Sequence, residues 1–141
     1  MSQTDNRETG QQLLPKFDAN GLMTAVVSEA ETGAPLMVAH MNAQALELSI
    51  KTGEAHFYSR SRAEIWHKGG TSGNVLAIQE MKIDCDQDAV WLSVVAKGHG
   101  AACHTGRKSC FFRRIVSNGK EIVLEQTGEA PLFDPADVYT T

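Results

Sequence analysis

Short runs of β-branched and aromatic residues, each ended by turn-forming residues, recur through most of this chain and restrict its fold more than any other feature. Residues of these types are enriched in strands, whereas Gly, Pro, Asn and Asp favour turns. The runs read LMTAVVSEA, LMVAHM, EAHFYS, VLAIQEMKI, AVWLSVVAK and CFFRRIVSNGKEIVLE. The last contains Asn118-Gly119, the strongest short-range hairpin signal. The pattern therefore predicts several short strands joined mostly by tight turns.

One segment departs from this pattern and indicates a helix. Asn42 is a good N-cap, and Met41 and Leu46 stand at the positions of a hydrophobic staple on either side of it. Gly53 suits the C-terminal stop. The sequence predicts a helix from Ala43 to Thr52. Together with the strands, this predicts an α+β fold, predominantly antiparallel β, with one or two short helices.

Length and charge limit the classes of protein that the chain can belong to. With 141 residues it predicts a single domain over residues 17–141, preceded by a loose N-terminal tail at residues 1–16. The net charge of -4 gives no bulk attraction to nucleic acid or to an anionic membrane. No apolar run approaches the ~18 residues of a spanning helix, and the polar N-terminus is unlike a signal peptide. We expect a cytoplasmic protein.

The pentapeptide DCDQD places three carboxylates and a thiol between two strand-like runs. If it is extended, Asp84, Asp86 and Asp88 project to one side and Cys85 and Gln87 to the other. Carboxylates suit magnesium, calcium or manganese, whereas a thiolate suits zinc. The alternative is a solvated acidic turn. An EF-hand is excluded, because other residues occupy the positions of its required Gly and Glu.

Two segments have the composition of anion-binding loops. Residues 59–74 and 98–114 are rich in Gly, Ser, Thr and basic side chains, which can hold phosphate through backbone N–H groups and cations. They contain seven of the thirteen basic residues: Arg60, Arg62, Lys68, Arg107, Lys108, Arg113 and Arg114. Local positive potential on an acidic chain favours an anionic small ligand. The alternative is that these are ordinary exposed loops.

The three cysteines are candidate metal ligands. An odd number of thiols makes a poor disulfide framework, so Cys85, Cys103 and Cys110 are either buried structural thiols or ligands. Three thiolates on zinc would leave the fourth position open to water, as in a catalytic site. His104 adjoins Cys103 and fits the role of a proton acceptor beside the metal better than that of a fourth ligand. A hydrogen-bonded loop histidine is the alternative.

These motifs together resemble the phosphoribosyl-AMP cyclohydrolase family, the enzymes of the third step of histidine biosynthesis. The resemblance is carried by CHTGRKSCFFR, DCDQD, SRSR followed by W-x-K-G-x-T-S-G, and the MN that opens the helix, over about Pro35 to Arg113. His40, Gly70 and Asn74 depart from the Trp, Glu and His that are frequent in the family. None of these three is a candidate metal ligand. The length is that of the single-function form, without a pyrophosphatase domain.

The resemblance implies a fold, an assembly and two metals. The fold is a small barrel-like sheet, and the assembly is an intertwined homodimer with two sites at its interface. The implied magnesium ligands are Asp84, Asp86 and Asp88. Zinc is implied to be shared, bound by Cys85 of one subunit with Cys103 and Cys110 of the other.

The implied reaction is the hydrolytic opening of the N1–C6 bond of the adenine ring of 1-(5-phosphoribosyl)-AMP. Water activated by zinc would attack C6, with magnesium assisting. His104 is the candidate base, and His99 and His67 are alternatives. The predicted substrate-binding residues are Arg60, Arg62, Lys68, Ser72, Arg107 and Lys108.

Two other functions compete with this one. A zinc-dependent purine deaminase would also attack C6 of adenine, but its H-x-E and P-C-x-x-C signatures are absent from the sequence. The second alternative is a non-catalytic module that binds an anionic ligand and is stabilised by zinc. It predicts a closed coordination shell around zinc and no turnover.

Overall fold

The computed structural model describes residues 7–138; apart from a helical turn at residues 7–9, they form eight strands and two short helices. In chain order these are β1 (Met23–Glu29), β2 (Pro35–Met41), α1 (Ala43–Thr52), β3 (His56–Ser59), β4 (Glu64–His67), β5 (Leu76–Ile83), β6 (Ala89–Ala96), β7 (Arg113–Ser117), β8 (Ile122–Gln126) and α2 (Pro135–Val138). The strands form one four-stranded sheet and two hairpins.

The four-stranded sheet has the order β2-β1-β6-β5. β2 and β5 run antiparallel to their neighbours, whereas β1 and β6 run parallel. The parallel pair is possible because the chain between these strands is long enough to cross back over the sheet. The turn between β5 and β6 is the DCDQD segment, which therefore lies at one end of the sheet.

The core lies on one face of this sheet. In β6, Val90, Leu92 and Val94 are buried while Trp91 and Val95 are exposed, the alternation expected of a strand with one covered face. Burying one such aliphatic side chain contributes about 1.5–3 kcal/mol. Phe57 from β3 is completely buried in the same cluster. The hairpin formed by β3 and β4 is thereby fixed to the sheet.

Helix α1 begins and ends where its sequence predicts. The Asn42 side chain accepts a hydrogen bond from the backbone N–H of Ala45 at 2.8 Å. Gly53 adopts the left-handed conformation, with φ of 73°, and donates its N–H to the carbonyl of Ser49. Ala45, Leu46 and Ser49 face the interior. The prediction of this helix is confirmed.

The α+β class with mostly antiparallel strands is also confirmed, but the barrel-like sheet is not. Among the described residues, β2 and β5 each pair with one neighbour only, so the four-stranded sheet stays open. The β7–β8 hairpin forms a separate two-stranded sheet. The prediction of a barrel-like sheet was wrong for the single chain, because no pairing joins the edge strands β2 and β5 among the described residues.

One strand and one tail differ from the sequence-based expectation in detail. β4 lies inside the segment 59–74 that was interpreted as a loop, since its four residues are too few to show a period. The N-terminal residues 7–16 are hydrogen-bonded to Gln87, and residues 1–6 lie outside the described part of the chain. The division of the chain at residue 16 stays a prediction. No helix between residues 7 and 138 has the length and apolar character of a membrane span.

Candidate active site

The acidic loop, residues 84–88, brings its three carboxylates together. One oxygen each of Asp84, Asp86 and Asp88 lies within 4.8 Å of the other two. The loop is a turn and not an extended strand: the Asp84 carbonyl accepts from the N–H of Gln87 at 3.0 Å. The Asp84 carboxylate also accepts from the backbone N–H groups of Asp88 at 3.0 Å and Ala89 at 3.1 Å. The aspartates therefore converge through turn geometry, and not through the strand alternation proposed from the sequence.

Crowding of these carboxylates shifts their pKa values in opposite directions. Hydrogen bonding to Asp86 and Asp84 raises the pKa of Asp88 to about 6. Burial raises the pKa of Asp84, but the N–H of Ala89 and hydrogen bonds from its two neighbouring aspartates outweigh this and lower it. Three carboxylate oxygens in mutual repulsion are a donor set that suits a hard divalent cation. The residues present fit magnesium.

A second cluster contains two thiols. The Cys103 thiol lies close enough to that of Cys110 to shift its pKa, and it lies 3.1 Å from the Thr105 hydroxyl. The loop between them is closed by backbone bonds, among them Cys103 N–H to the Arg107 carbonyl at 3.1 Å. Cys110 is anchored to β2, because its N–H donates to the Leu36 carbonyl at 2.7 Å. The two predicted ligands of the later motif therefore lie side by side.

Burial raises the pKa of the Cys110 thiol to about 12, and the neighbouring Cys103 adds to the shift. Cys110 is nevertheless exposed as a residue, so only the direction of this shift bears on zinc binding. Lys68 counteracts the shift, since its ammonium group attracts the thiolate form of both cysteines. Burial in turn lowers the pKa of Lys68. The buried cation favours the thiolate form of the two thiols, and thiolates are ligands that zinc prefers. The residues present therefore fit zinc.

Cys85 does not join these thiols within the described chain. It lies exposed on the acidic loop, and the aspartates are the only set of three or more Cys, His, Asp or Glu ligand atoms within 4.8 Å of one another among residues 7–138. The three predicted zinc ligands are thus divided into an adjacent pair and a single exposed thiol.

A pocket of about 600 Å³ is connected to the thiol pair through Lys68, which lines it and interacts with both thiols. Of the predicted residues, Arg62, Lys68, Ser72 and His104 line it. Lys68 connects the pocket to the thiols: it is 4% exposed, and its ammonium nitrogen lies 5.4 Å from the centre of the Trp66 ring. The pocket thus combines cations, hydroxyl groups and an imidazole next to the candidate zinc ligands.

The loop that follows β4 shapes this pocket by a close backbone approach. Gly69 has φ of +85°, and a Cβ atom there would lie 2.2 Å from the backbone nitrogen of Val75. Gly73 has φ of +80°, but nothing lies within 4 Å of its Cβ position. The N–H of Gly73 donates to the Gly69 carbonyl at 2.8 Å. Only a glycine at position 69 allows the loop to fold back in this way.

Three of the predicted substrate-binding residues do not line the pocket. Lys108 forms an ion pair with Glu29 at 2.7 Å, which raises the pKa of Lys108. The Arg107 guanidinium lies 4.2 Å from the centre of the Phe112 ring. Arg60 is exposed. The roles of Arg60, Arg107 and Lys108 stay predictions.

The candidate bases occupy different places. His104 and His67 both line the pocket, and His67 Nε2 lies 2.8 Å from a carboxylate oxygen of Glu54. His99 lies outside the pocket lining, with its Nδ1 3.1 Å from Asn74 Oδ1. The pocket geometry favours His104 and His67 over His99.

The residues that depart from the family pattern are dispersed. Gly70 lines the pocket, whereas Asn74 is buried behind it with its Nδ2 unpartnered. His40 lines a second cavity of about 300 Å³, together with Lys16 and Asp88.

Sequence reasoning identified the segment that forms most of the pocket but missed some of its members. Ser59, Ser61, Trp66 and Thr71 also line the pocket and lie within the Gly- and Ser-rich segment 59–74. Pro135 at the start of α2 reaches the pocket from far along the chain, and no local signal in the sequence indicates this.

Comparison with known proteins gives one consistent match. Residues 37–112 match the family model described as phosphoribosyl-AMP cyclohydrolase. The chain is similar to the phosphoribosyl-AMP cyclohydrolase of Sinorhizobium fredii, with 58% identity over 133 residues, covering 94% of this chain and 87% of the relative. It is also similar to the enzymes of that name from Agrobacterium fabrum, with 56% identity over 89% of this chain and 84% of the relative, and Rhizobium leguminosarum bv. trifolii, with 55% identity over 89% and 83%.

Proposed function

The chain belongs to the phosphoribosyl-AMP cyclohydrolase family, and from this we propose that it hydrolyses the N1–C6 bond of the adenine ring of 1-(5-phosphoribosyl)-AMP in histidine biosynthesis. The observation that carries the proposal is the pocket lined by Lys68 and His104 beside the Cys103–Cys110 thiol pair. This arrangement offers charge for a phosphorylated nucleotide and a place for an activated water. Membership in an enzyme family favours a hydrolase over a non-catalytic binding module.

Zinc and magnesium would be held at different clusters. Zinc would be held by Cys103 and Cys110 together with Cys85, and when bound it lowers the pKa of a water so that hydroxide is available near neutral pH. Magnesium would be held by the three aspartates of the acidic loop, and when bound it neutralises substrate phosphate. The close thiol pair and the crowded carboxylates support these assignments.

Side chains of this protein would carry out the proton transfers of the reaction. Water adds to C6 and the C6–N1 bond breaks; for the uncharged ring, the two water protons go to N1 and to the exocyclic nitrogen. His104 lines the pocket next to Cys103, which suits an imidazole that takes a proton from the attacking water and returns it to N1. His67 remains the alternative base, because it lines the same pocket.

Phosphate binding falls to the pocket's cations and hydroxyl groups. The substrate carries a phosphate on each of its two ribose groups, so the site needs positive charge at more than one place. Arg62, Lys68 and Ser72 line the pocket and suit one phosphate. Arg60, Arg107 and Lys108 would have to bind the other from outside the pocket lining.

Assembly into an intertwined homodimer would complete the site. Cys85 is exposed and separate from the thiol pair, so a second subunit could supply it. The β7–β8 hairpin supports dimerisation, since Ile115 is 80% and Ile122 74% exposed on a two-stranded sheet. We propose a cytoplasmic enzyme whose partners are its substrate and a second copy of itself, without nucleic acid or membrane.

Subunit mixing tests both the metal and the assembly. Cys103→Ala should abolish zinc binding and turnover of 1-(5-phosphoribosyl)-AMP together. Mixed with Cys85→Ala, it should regain about a quarter of wild-type activity after random exchange, because half the dimers are mixed and each restores one of two sites. A mixture of Cys103→Ala and Cys110→Ala is the matched control, since both changes fall on the same side of the site and no intact set can form. Full turnover without zinc, or equal recovery in both mixtures, would contradict the proposal.

A further inference from the structure

Gln87, in the middle of the acidic loop, has an unusual backbone conformation. Its φ is +57°, a region that residues other than glycine rarely adopt, and its side chain is buried, with the residue only 4% exposed. Such a conformation persists where the surrounding contacts hold it in place. The flanking Asp86 and Asp88 are more exposed. The side chain of Gln87 is therefore the part of the loop that turns inward.

All the hydrogen-bonding groups of the Gln87 side chain are used on one partner, the N-terminal segment of residues 7–16. Its Oε1 accepts from the N–H of Leu14 at 2.6 Å. Its Nε2 donates to the carbonyls of Arg7 at 2.7 Å and Gln12 at 3.2 Å. Its own carbonyl accepts from the N–H of Lys16 at 2.7 Å. Four hydrogen bonds thus tie one loop residue to the N-terminal segment.

The N-terminal segment is also closed on itself, which makes it a firm anchor. The Arg7 guanidinium donates from Nε to the Leu14 carbonyl at 2.9 Å. Arg7 and Leu14 are the same residues whose backbone groups bind the two ends of the Gln87 amide. The N-terminal segment, which is helical only at residues 7–9, therefore has a defined shape around Gln87.

Hydrogen bonds within the loop connect Gln87 and its neighbour Asp88 to Asp84. The N–H of Gln87 donates to the Asp84 carbonyl, and the Asp84 carboxylate accepts from the N–H of Asp88. Lys16 at the end of the N-terminal segment and Asp88 line the same cavity of about 300 Å³. The positions of the first and last aspartate thus depend on the turn that Gln87 holds.

We propose that Gln87 is a positioning residue for the acidic loop: by binding the N-terminal segment it holds the three carboxylates at the spacing of a single cation site. Without this anchor the loop would relax to relieve the left-handed conformation at Gln87 and the repulsion between the aspartates. The inference rests on the proposed function for the identity of the cation, magnesium. It assigns residues 7–16, which the sequence indicated as a tail, a role in the active site.

The test compares three substitutions by calorimetric titration of Mg²⁺ into the zinc-loaded protein without substrate. Gln87→Asn keeps the same polar groups and tolerates the left-handed conformation, but it is one methylene too short to reach the segment. Gln87→Gly relieves the backbone conformation and removes the amide. Gln44→Ala, an exposed glutamine on α1, is the matched control. Zinc content and thermal unfolding show that each variant is folded and has an intact thiol pair.

Loss of a residue that orients metal ligands typically weakens metal binding by about 10- to 100-fold. We expect this increase in the Mg²⁺ dissociation constant for both Gln87 variants and for a variant lacking residues 1–14, and no change for Gln44→Ala. A merely structural role would lower the unfolding temperature and leave the dissociation constant unchanged well below that temperature. Unchanged Mg²⁺ affinity in folded Gln87 variants would overturn the inference.

The outcome can be separated from that of the proposed function. A wild-type protein that turns over the substrate but binds no Mg²⁺ would overturn the positioning role and the magnesium assignment, and would leave the hydrolysis in place. A wild-type protein that binds Mg²⁺ through this loop but does not hydrolyse 1-(5-phosphoribosyl)-AMP would contradict the proposed function. In that case the Gln87 variants would still decide the positioning role.

Discussion

Replacing Gly69 by alanine tests how closely the pocket-lining loop approaches the start of β5. Gly69 and Gly73 lie in one loop with nearly equal positive φ values, +85° and +80°, so alanine costs the same conformational energy at both, about 1–2 kcal/mol. At position 73 nothing else opposes the new methyl group. At position 69 the Cβ would lie 2.2 Å from the Val75 nitrogen and 2.3 Å from the Asn74 carbonyl carbon, against an ordinary contact of 3.4–4 Å.

This difference sets the expected magnitudes. The backbone on one side must move by more than about 1 Å, and overpacking of this kind costs a further ~1–3 kcal/mol. Gly73→Ala should therefore destabilise the protein by about 1–2 kcal/mol and Gly69→Ala by about 2–5 kcal/mol. At about 4 °C per kcal/mol for a chain of this size, the unfolding temperature should fall by about 4–8 °C and about 8–20 °C respectively.

The assay is thermal unfolding followed by circular dichroism, with substrate kinetics on both variants below their transitions. Because Lys68 immediately precedes Gly69, displacement of the loop should raise KM in Gly69→Ala more than in Gly73→Ala. Equal losses of stability in the two variants would refute the reasoning, since the backbone contact would then have no energetic consequence.

Two further substitutions, the first with a matched control, test charged groups in and near the candidate site. Lys68→Met removes the buried ammonium group that lies over Trp66, and we expect kcat/KM to fall by about 100-fold while the metal-free protein becomes no less stable, because burial disfavours the charged form. Lys82→Met, which removes an exposed ammonium group 5.2 Å from the Trp91 ring centre, is the matched control and should change neither quantity appreciably. Asp88→Asn should raise the unfolding temperature of the metal-free protein: the folded pKa of about 6 lies above the ordinary 3.8, so the folded state of the wild type loses stability as pH rises between these values. The gain should be complete above pH ~6 and absent near pH ~3.5, and a gain independent of pH would contradict it.

Local signals in the sequence were sufficient for the elements whose ends are set by side chains within the same segment. Helix α1 is the clearest example, since Asn42 and Gly53 cap it without help from the rest of the chain. The Asn118-Gly119 hairpin is another, and its loop extends over residues 118–121. The short strand β4 was missed, because its pairing with β3 and not its own pattern decides that it is a strand.

The candidate site was predictable where one motif supplies neighbouring candidate ligands, and less so where distant segments meet. The aspartates of the acidic loop and the Cys103–Cys110 pair are each contained in a short stretch of sequence. Contacts across the chain gave no local signal: Pro135 at the pocket and the bonds between Gln87 and the N-terminal segment depend on tertiary packing alone. The DCDQD turn shows that a correct prediction of clustered carboxylates can follow from an incorrect local geometry, since sequence spacing brings the carboxylates together in either conformation.

The separation of the candidate zinc ligands within one chain supports the proposed dimer. The acidic loop with Cys85 lies at the turn between β5 and β6, whereas the thiol pair lies on a separate loop bonded to β2. These two strands are the opposite edges of the same sheet. In the proposed dimer, a second copy would bring its β5 edge to the first copy's β2 edge, so that the exposed thiol of one copy meets the thiol pair of the other. Because a twofold axis repeats any such contact, this arrangement would form two complete sites at once.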